Sequence, residues 1–287
     1  MAEYDDGFWW SNDGLRLHYR HYRGPDGVPP LLCLPGLTRN ARDFDDLARH
    51  VAGRFPVLAV DLRGRGESAY AKDPMTYVPL VYLQDIAGLI AELKIDRLIA
   101  VGTSLGAILT MLLAATQPAR LAGAILNDLG PELEPAGLTR IRGLVGRSQS
   151  WPTWLHAARA LAETNAAIYP DYRLDNWLAM AKRVCRLTPG GRVVFDYDMK
   201  IAEPFRLPGG EGGVDLWPAF GALAPLPVLL VRGNLSDLLS ARTALEMKRR
   251  KPDMDYCEVP RTGHAPTLME PPAITAIDDF LARLEQR

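Results

Sequence analysis

Leu98-Ile99-Ala100-Val101-Gly102-Thr103-Ser104-Leu105-Gly106-Ala107 runs from four apolar residues into the pattern G-x-S-x-G. The apolar run reads as a buried strand, and Ala107 to Thr116 reads as a helix packed on a sheet. A strand that turns into a helix over so few residues has no room for side-chain bulk. Such a turn lifts the hydroxyl of Ser104 clear of the sheet. A serine that merely caps the following helix is the plain alternative. The strand before the pattern and the helix after it favour the first reading.

Outward from this turn the chain repeats one theme. Phe8 to Ser11 and Leu15 to Tyr22 read as strands joined by Asn12-Asp13-Gly14, a hairpin signal. Leu31 to Leu34 is a short apolar strand closed by Pro35-Gly36, and a helix follows over about 41–51. Val57 to Val60 is a further strand, ending in Asp61-Leu62-Arg63-Gly64-Arg65-Gly66. Between Tyr82 and Leu93 apolar residues fall at 83, 86, 87, 90 and 93, a helical period. Ala122 to Leu126, Val228 to Val231 and Tyr256 to Val259 read as later strands, and 242–249 and 274–284 as helices. Short apolar strands alternating with amphipathic helices predict an α/β protein. Its central sheet is mostly parallel and covered by helices on both faces. The alternation lapses between Pro131 and Leu223, where helix-like stretches and many aromatic residues appear without a convincing strand. The expected organisation is one core, 1–130 and 224–287, carrying a helical cap over 131–223.

Bulk properties narrow the function. A net charge of −1 with no basic cluster gives no footprint for nucleic acid or an anionic membrane. No apolar run approaches the ~20 residues of a membrane-spanning helix. The acidic start Met1-Ala2-Glu3-Tyr4-Asp5-Asp6 lacks the features of a secretory signal. Cys33, Cys185 and Cys257 are odd in number and widely spaced, the usage of free thiols in a reducing cytoplasm. The expected partner is a small-molecule substrate; the oligomeric state is left open.

A serine hydroxyl needs a base in contact with it, and the base needs a group that fixes its tautomer. The five histidines can be enumerated. His18 and His21 lie in the early hairpin, His50 at the end of a surface helix and His156 in the insertion. His264, in Thr262-Gly263-His264-Ala265-Pro266, follows the last strand. Loops at the carboxyl ends of parallel strands gather at one edge, so His264 is the candidate base. Neither His18 nor His21 has companions at metal-ligand spacing, so no metal is expected. For the acid, Asp237 follows the penultimate strand and Asp128 follows the Ala122 strand. The order Ser…Asp…His, with the acid after the penultimate strand, favours Asp237. Two backbone N–H groups must meet a developing oxyanion. Leu105, at a helix N-terminus, and Leu37, after Pro35-Gly36, are the candidates.

These residues resemble the α/β-hydrolase fold, in its serine-hydrolase branch with a helical cap. The resemblance rests on Leu34-Pro35-Gly36, Asp61 to Ser68, the turn at Ser104, Asp237 and Gly263-His264. It implies a triad of Ser104, Asp237 and His264, an oxyanion hole at Leu37 and Leu105, and no cofactor. The Asp61 to Ser68 segment would be structural. Pro35-Gly36 stands where the family often has His-Gly, which keeps the backbone donor. Haloalkane dehalogenases and most epoxide hydrolases of the fold use Asp at the turn, so Ser104 points away from those chemistries. The expected activity is hydrolysis of a small carboxylic ester, thioester or lactone through an acyl-enzyme. Carbon–carbon bond hydrolysis of aromatic ring-fission products is the first alternative, with Arg140, Arg142, Arg159 and Arg183 as candidates for the substrate carboxylate. A non-catalytic ligand-binding member of the fold is the second. Trp151, Trp154, Trp177 and Tyr197 are the expected pocket residues of the cap.

Overall fold

In a computed structural model, which describes residues 4–204 and 215–285, the alternation becomes an eight-stranded sheet. Residues 1–3 and 286–287 of the expected core, and 205–214 of the expected cap, lie outside the described residues. The strands are β1 (Tyr4–Trp10), β2 (Arg16–Tyr22), β3 (Leu31–Leu34), β4 (Val57–Asp61), β5 (Leu98–Thr103), β6 (Leu121–Asn127), β10 (Val228–Gly233) and β11 (Asp255–Val259). They lie in the order β1-β2-β4-β3-β5-β6-β10-β11. The β1–β2 and β2–β4 pairs are antiparallel, and every other pair is parallel.

Helices cover both faces because the parallel strands are apolar on both. Leu31 and Cys33 of β3 face one core, with α1 (Asp45–Val51) and α9 (Pro271–Glu285). Leu32 and Leu34 of the same strand face the other, with α2 (Pro79–Glu92), α3 (Leu105–Thr116) and α8 (Ala241–Arg250). The period-2 pleat thus supplies two cores from one run of sequence. Each leucine buried this way contributes about 1.5–3 kcal/mol.

Between β6 and β10 the chain leaves the sheet. It forms α4 (Pro135–Leu144), α5 (Trp154–Asn165), α6 (Leu174–Val184) and, after 214, the short α7 (Trp217–Gly221). The expectation of helices without strands here is corrected. An antiparallel sheet β7-β9-β8 joins Ser150–Trp151, Val193–Phe195 and Cys185–Leu187. These strands are two or three residues long, too short to show an alternating pattern. A turn signal was present, since Gly190-Gly191 links β8 to β9 with Gly191 at φ 74°.

Backbone segments approach one another very closely around the turn at Ser104. A Cβ placed on Gly102 would lie 2.2 Å from the Gly106 carbonyl oxygen, and one on Gly106 would lie 2.0 Å from that of Leu34. Backbone meets backbone at both points, and neither side can yield. Gly106→Ala is therefore expected to cost about 2–3 kcal/mol in urea unfolding. A loss below about 0.5 kcal/mol would show that the helix can move away freely.

His18 is a second buried constraint. Its Nδ1 lies 2.7 Å from Asp61 Oδ2 and its Nε2 lies 2.8 Å from Asp6 Oδ1. Burial by itself lowers the pKa of this imidazole, but Asp61 and Asp6 outweigh it and hold it above the ordinary 6.5. The folded chain therefore binds this proton more tightly than the unfolded chain. The stabilisation is complete below pH 6.5 and is lost as pH rises through the raised folded value. The gap in Tm between wild type and His18→Gln should be widest near pH 5.5 and narrow by pH 9. A gap independent of pH would mean that folding leaves the pKa of His18 unchanged.

Candidate active site

The carboxyl ends of β5, β6 and β11 place three side chains in a row. Ser104 follows β5 at φ 54° and ψ −115°, a conformation that L-residues adopt at a cost of about 1–3 kcal/mol. Its N–H donates to the Asn127 carbonyl at 3.0 Å, tying the turn to β6. His264 occupies the loop between β11 and α9. Its Nε2 lies 2.8 Å from Ser104 Oγ, and its Nδ1 lies 2.7 Å from Asp128 Oδ2. With Asp128 accepting from Nδ1–H, Nε2 is left to accept from the Ser104 hydroxyl. Asp128 is fully buried and also accepts from the Gly233 N–H at 2.8 Å and the Ser236 hydroxyl at 2.7 Å. Three donors from two segments fix one carboxylate.

The expectation that Asp237 would meet His264 is corrected: Asp128 stands there. The reason is register. Thr103 of β5 pairs with Asn127 of β6, so the next residues, Ser104 and Asp128, leave the sheet side by side. β10 lies one strand further out. From the loop after β10 it is Ser236 that reaches inward, while Asp237 turns toward α4. There Arg140 donates to both Asp237 oxygens, at 2.6 and 2.7 Å. That guanidinium holds the Asp237 carboxyl below its ordinary range.

Leu37 and Leu105 flank the serine. Leu105 opens α3, so its N–H is one of the four that no helical carbonyl accepts. Gly36 approaches Ser104 closely, since a Cβ added there would lie 3.7 Å from the Ser104 Cβ. The peptide between Gly36 and Leu37 is oriented by the Arg39 N–H, which donates to the Gly36 carbonyl at 3.1 Å. Behind it the fully buried Arg65 grips the Leu37 carbonyl through Nε and Nη2, at 2.8 and 2.7 Å. The Asp61 to Ser68 segment thus braces the Leu37 loop, a role that its glycine-rich turn did not announce.

A cleft of about 200 Å³ opens over Ser104 and His264. Ile141, Leu144 and Val145 close it from the insertion, and Tyr169 enters from the turn after α5. The expected pocket aromatics are elsewhere. Trp151, Trp154 and Trp177 pack in the insertion's own core, where Trp177 meets Tyr172 at 5.0 Å between ring centroids. Tyr197 is buried beside Phe195 and accepts from the Gly146 N–H. Large aromatic residues stabilise a small subdomain most when fully packed, and that use took precedence here. Arg140 and Arg183, both expected candidates, do line the cleft, together with Arg39. There Arg39 pairs with Asp43, Arg140 with Asp237 and Arg183 with Asp46. Asn127 and Arg39 had no motif to signal them, and Tyr169 was legible only as one aromatic among several.

Among the described residues no group of three His, Cys, Asp or Glu side chains is placed to hold a metal ion. None of the described helices is long and apolar enough to cross a membrane.

Comparison with known proteins gives the same architecture. A crystal structure of an alpha/beta hydrolase from Novosphingobium aromaticivorans superposes with a TM-score of 0.95 at 57% identity, covering 99% of both chains. The 3-hydroxybutyrate-oligomer hydrolase of Cupriavidus necator is 34% identical over 92% of each chain. The 2-(acetamidomethylene)succinate hydrolase of Mesorhizobium japonicum is 30% identical over 88% of each. The sequence profile of the alpha/beta hydrolase family matches residues 31–276, and the chain belongs to that family.

Proposed function

We propose that this protein is a serine hydrolase acting on a small ester that bears a free carboxylate. The observation that carries this reading is the unbroken chain Ser104–His264–Asp128, with contacts of 2.8 and 2.7 Å, at the floor of a cleft. Ser104 Oγ attacks the ester carbonyl as its proton passes to His264 Nε2. The carbonyl oxygen takes the negative charge between the N–H groups of Leu37 and Leu105, each worth roughly 10²–10³ in rate. The carbon–oxygen bond to the alcohol breaks, and the alcohol departs with the proton from His264. Water then gives a proton to His264 and its hydroxide to the acyl carbon, and Ser104 recovers its proton as the acid leaves. Asp128 holds the imidazole in register and stabilises its charged form.

The carboxylate follows from two supports. Three arginines line a cleft of only about 200 Å³, smaller than the ~300 Å³ at which drug-sized pockets begin. The two curated relatives described above are named for an oligomer of a hydroxy acid and for a substituted succinate. The insertion over 131–223 acts as the lid of the cleft. Free Cys33, Cys185 and Cys257 suit a cytoplasmic enzyme. The same arginines would suit a ring-fission dienoate, so carbon–carbon bond hydrolysis is the second reading, tested by the loss of dienoate absorbance.

Hydrolysis of p-nitrophenyl acetate should vanish in Ser104→Ala. Asp128→Asn should lower kcat by about 10³–10⁴, and Asp237→Asn by less than about tenfold. The reverse order would return the acid's role to Asp237. The dimer of 3-hydroxybutyrate should be cleaved with a kcat/KM at least about tenfold above that of its methyl ester, a preference that Arg140→Met should reduce. Equal rates on acid and methyl ester would remove the carboxylate from the substrate.

A further inference from the structure

The loop that carries His264 is held from two sides, and one of them is the insertion. From the core, the Asn127 side chain donates to Thr103 Oγ1 at 3.1 Å and to the Pro266 carbonyl at 2.8 Å. This ties the strand leading to Ser104 to the residue two beyond His264. From the insertion, the turn between α5 and α6 grips both neighbours of His264. The Gly263 N–H donates to the Ile168 carbonyl at 2.7 Å, and the Tyr169 hydroxyl donates to the Ala265 carbonyl at 2.7 Å. The approach is close enough that a Cβ on Gly263 would lie 2.8 Å from Ile168 Cγ2 and 3.1 Å from its Cα.

Tyr169 is itself rigidly held. Its ring stacks on Tyr172 with 4.5 Å between centroids and meets Trp177 edge-on. Only 8% of the residue is exposed. The aromatic core of the insertion therefore ends in one hydroxyl that fixes the peptide next to the base. A third tie, Arg261 to Asp171, lies further from His264 and is largely exposed.

We propose that Tyr169 is a positioning residue: through its hydrogen bond to the Ala265 carbonyl it holds His264 in reach of both Ser104 and Asp128. The insertion then sets the reactivity of the serine as well as covering it. This rests on the serine-hydrolase reading above. A displacement of about 1 Å between base and nucleophile costs up to about 10² in rate, so loss of one of several ties should cost about tenfold.

The test uses the full chain as wild type, Tyr169→Phe, Asp171→Asn and Ser104→Ala. Each is reacted with a fluorophosphonate probe, and the labelling rate is expressed per folded molecule. Steady-state kinetics on p-nitrophenyl acetate and Tm accompany it. Tyr169→Phe should lower both the labelling rate and kcat about tenfold, with KM within about twofold of wild type. Asp171→Asn should leave labelling and kcat within about twofold, since exposed ion pairs contribute little. If Tyr169→Phe labels at the wild-type rate per folded molecule, or changes KM alone, Tyr169 merely lines the cleft and the proposal is overturned. An equal loss in Asp171→Asn also overturns it, because the effect would then belong to any tie between insertion and loop. If wild type is as silent as Ser104→Ala, the hydrolase reading itself has failed and the Tyr169 role falls with it.

Discussion

The backbone contact among Gly102, Gly106 and Leu34 is the constraint on which the rest depends. Helix α3 can start directly over β5 and β3 only because no Cβ intervenes at 102 or 106. That approach forces Ser104 into a positive φ and points its hydroxyl away from the sheet. It also aims the first N–H groups of α3 at the same space. An outward-pointing serine hydroxyl and a helix N-terminus with free N–H groups beside it are thus consequences of one packing event. The strain at Ser104 is sustained by the buried strands around it, whose alternating side chains fill two cores.

A second layer of order comes from the insertion, which is fastened to the core by charge and by backbone. Asn40 and Arg42 both donate to the Arg183 carbonyl, and Arg42 also reaches the buried Asp196. Arg183 itself turns back to Asp46. On the other side Gly137 and Glu134 donate to the carbonyls of Asp237 and Leu238. Exposed ion pairs contribute little alone, but these are partly buried and bidentate or shared, the arrangement in which such pairs hold geometry. The two parts that border the cleft are therefore joined to each other on both of its sides.

Asp128 and Asp237 show where reading the chain and reading the fold diverge. Both are acidic residues just past a strand, both precede His264, and both lie near it in space. What separates them is that β6 neighbours β5 while β10 does not. The pairing of Thr103 with Asn127 then sets Ser104 beside Asp128. Strand order and register are properties of the assembled sheet, and no local pattern encodes them. The pocket tryptophans diverged for another reason. Trp151, Trp154 and Trp177 pack with their neighbours in the insertion's own core, a demand that composition reveals without revealing its geometry.

By itself the sequence determined the elements that rest on local physics. These are the apolar runs of the sheet, the helical periods, the glycines that the turn at Ser104 requires, and a histidine in the loop after the last strand. Tertiary structure alone decided which acid faces His264, which guanidiniums enter the cleft, and that Arg65 grips the Leu37 carbonyl and Tyr169 the Ala265 carbonyl. Each of those is a contact between segments far apart in the chain, such as Asn127 with Pro266 or Tyr169 with Ala265. Contacts of that kind exist only once the strands have taken their order and the insertion has settled on the core.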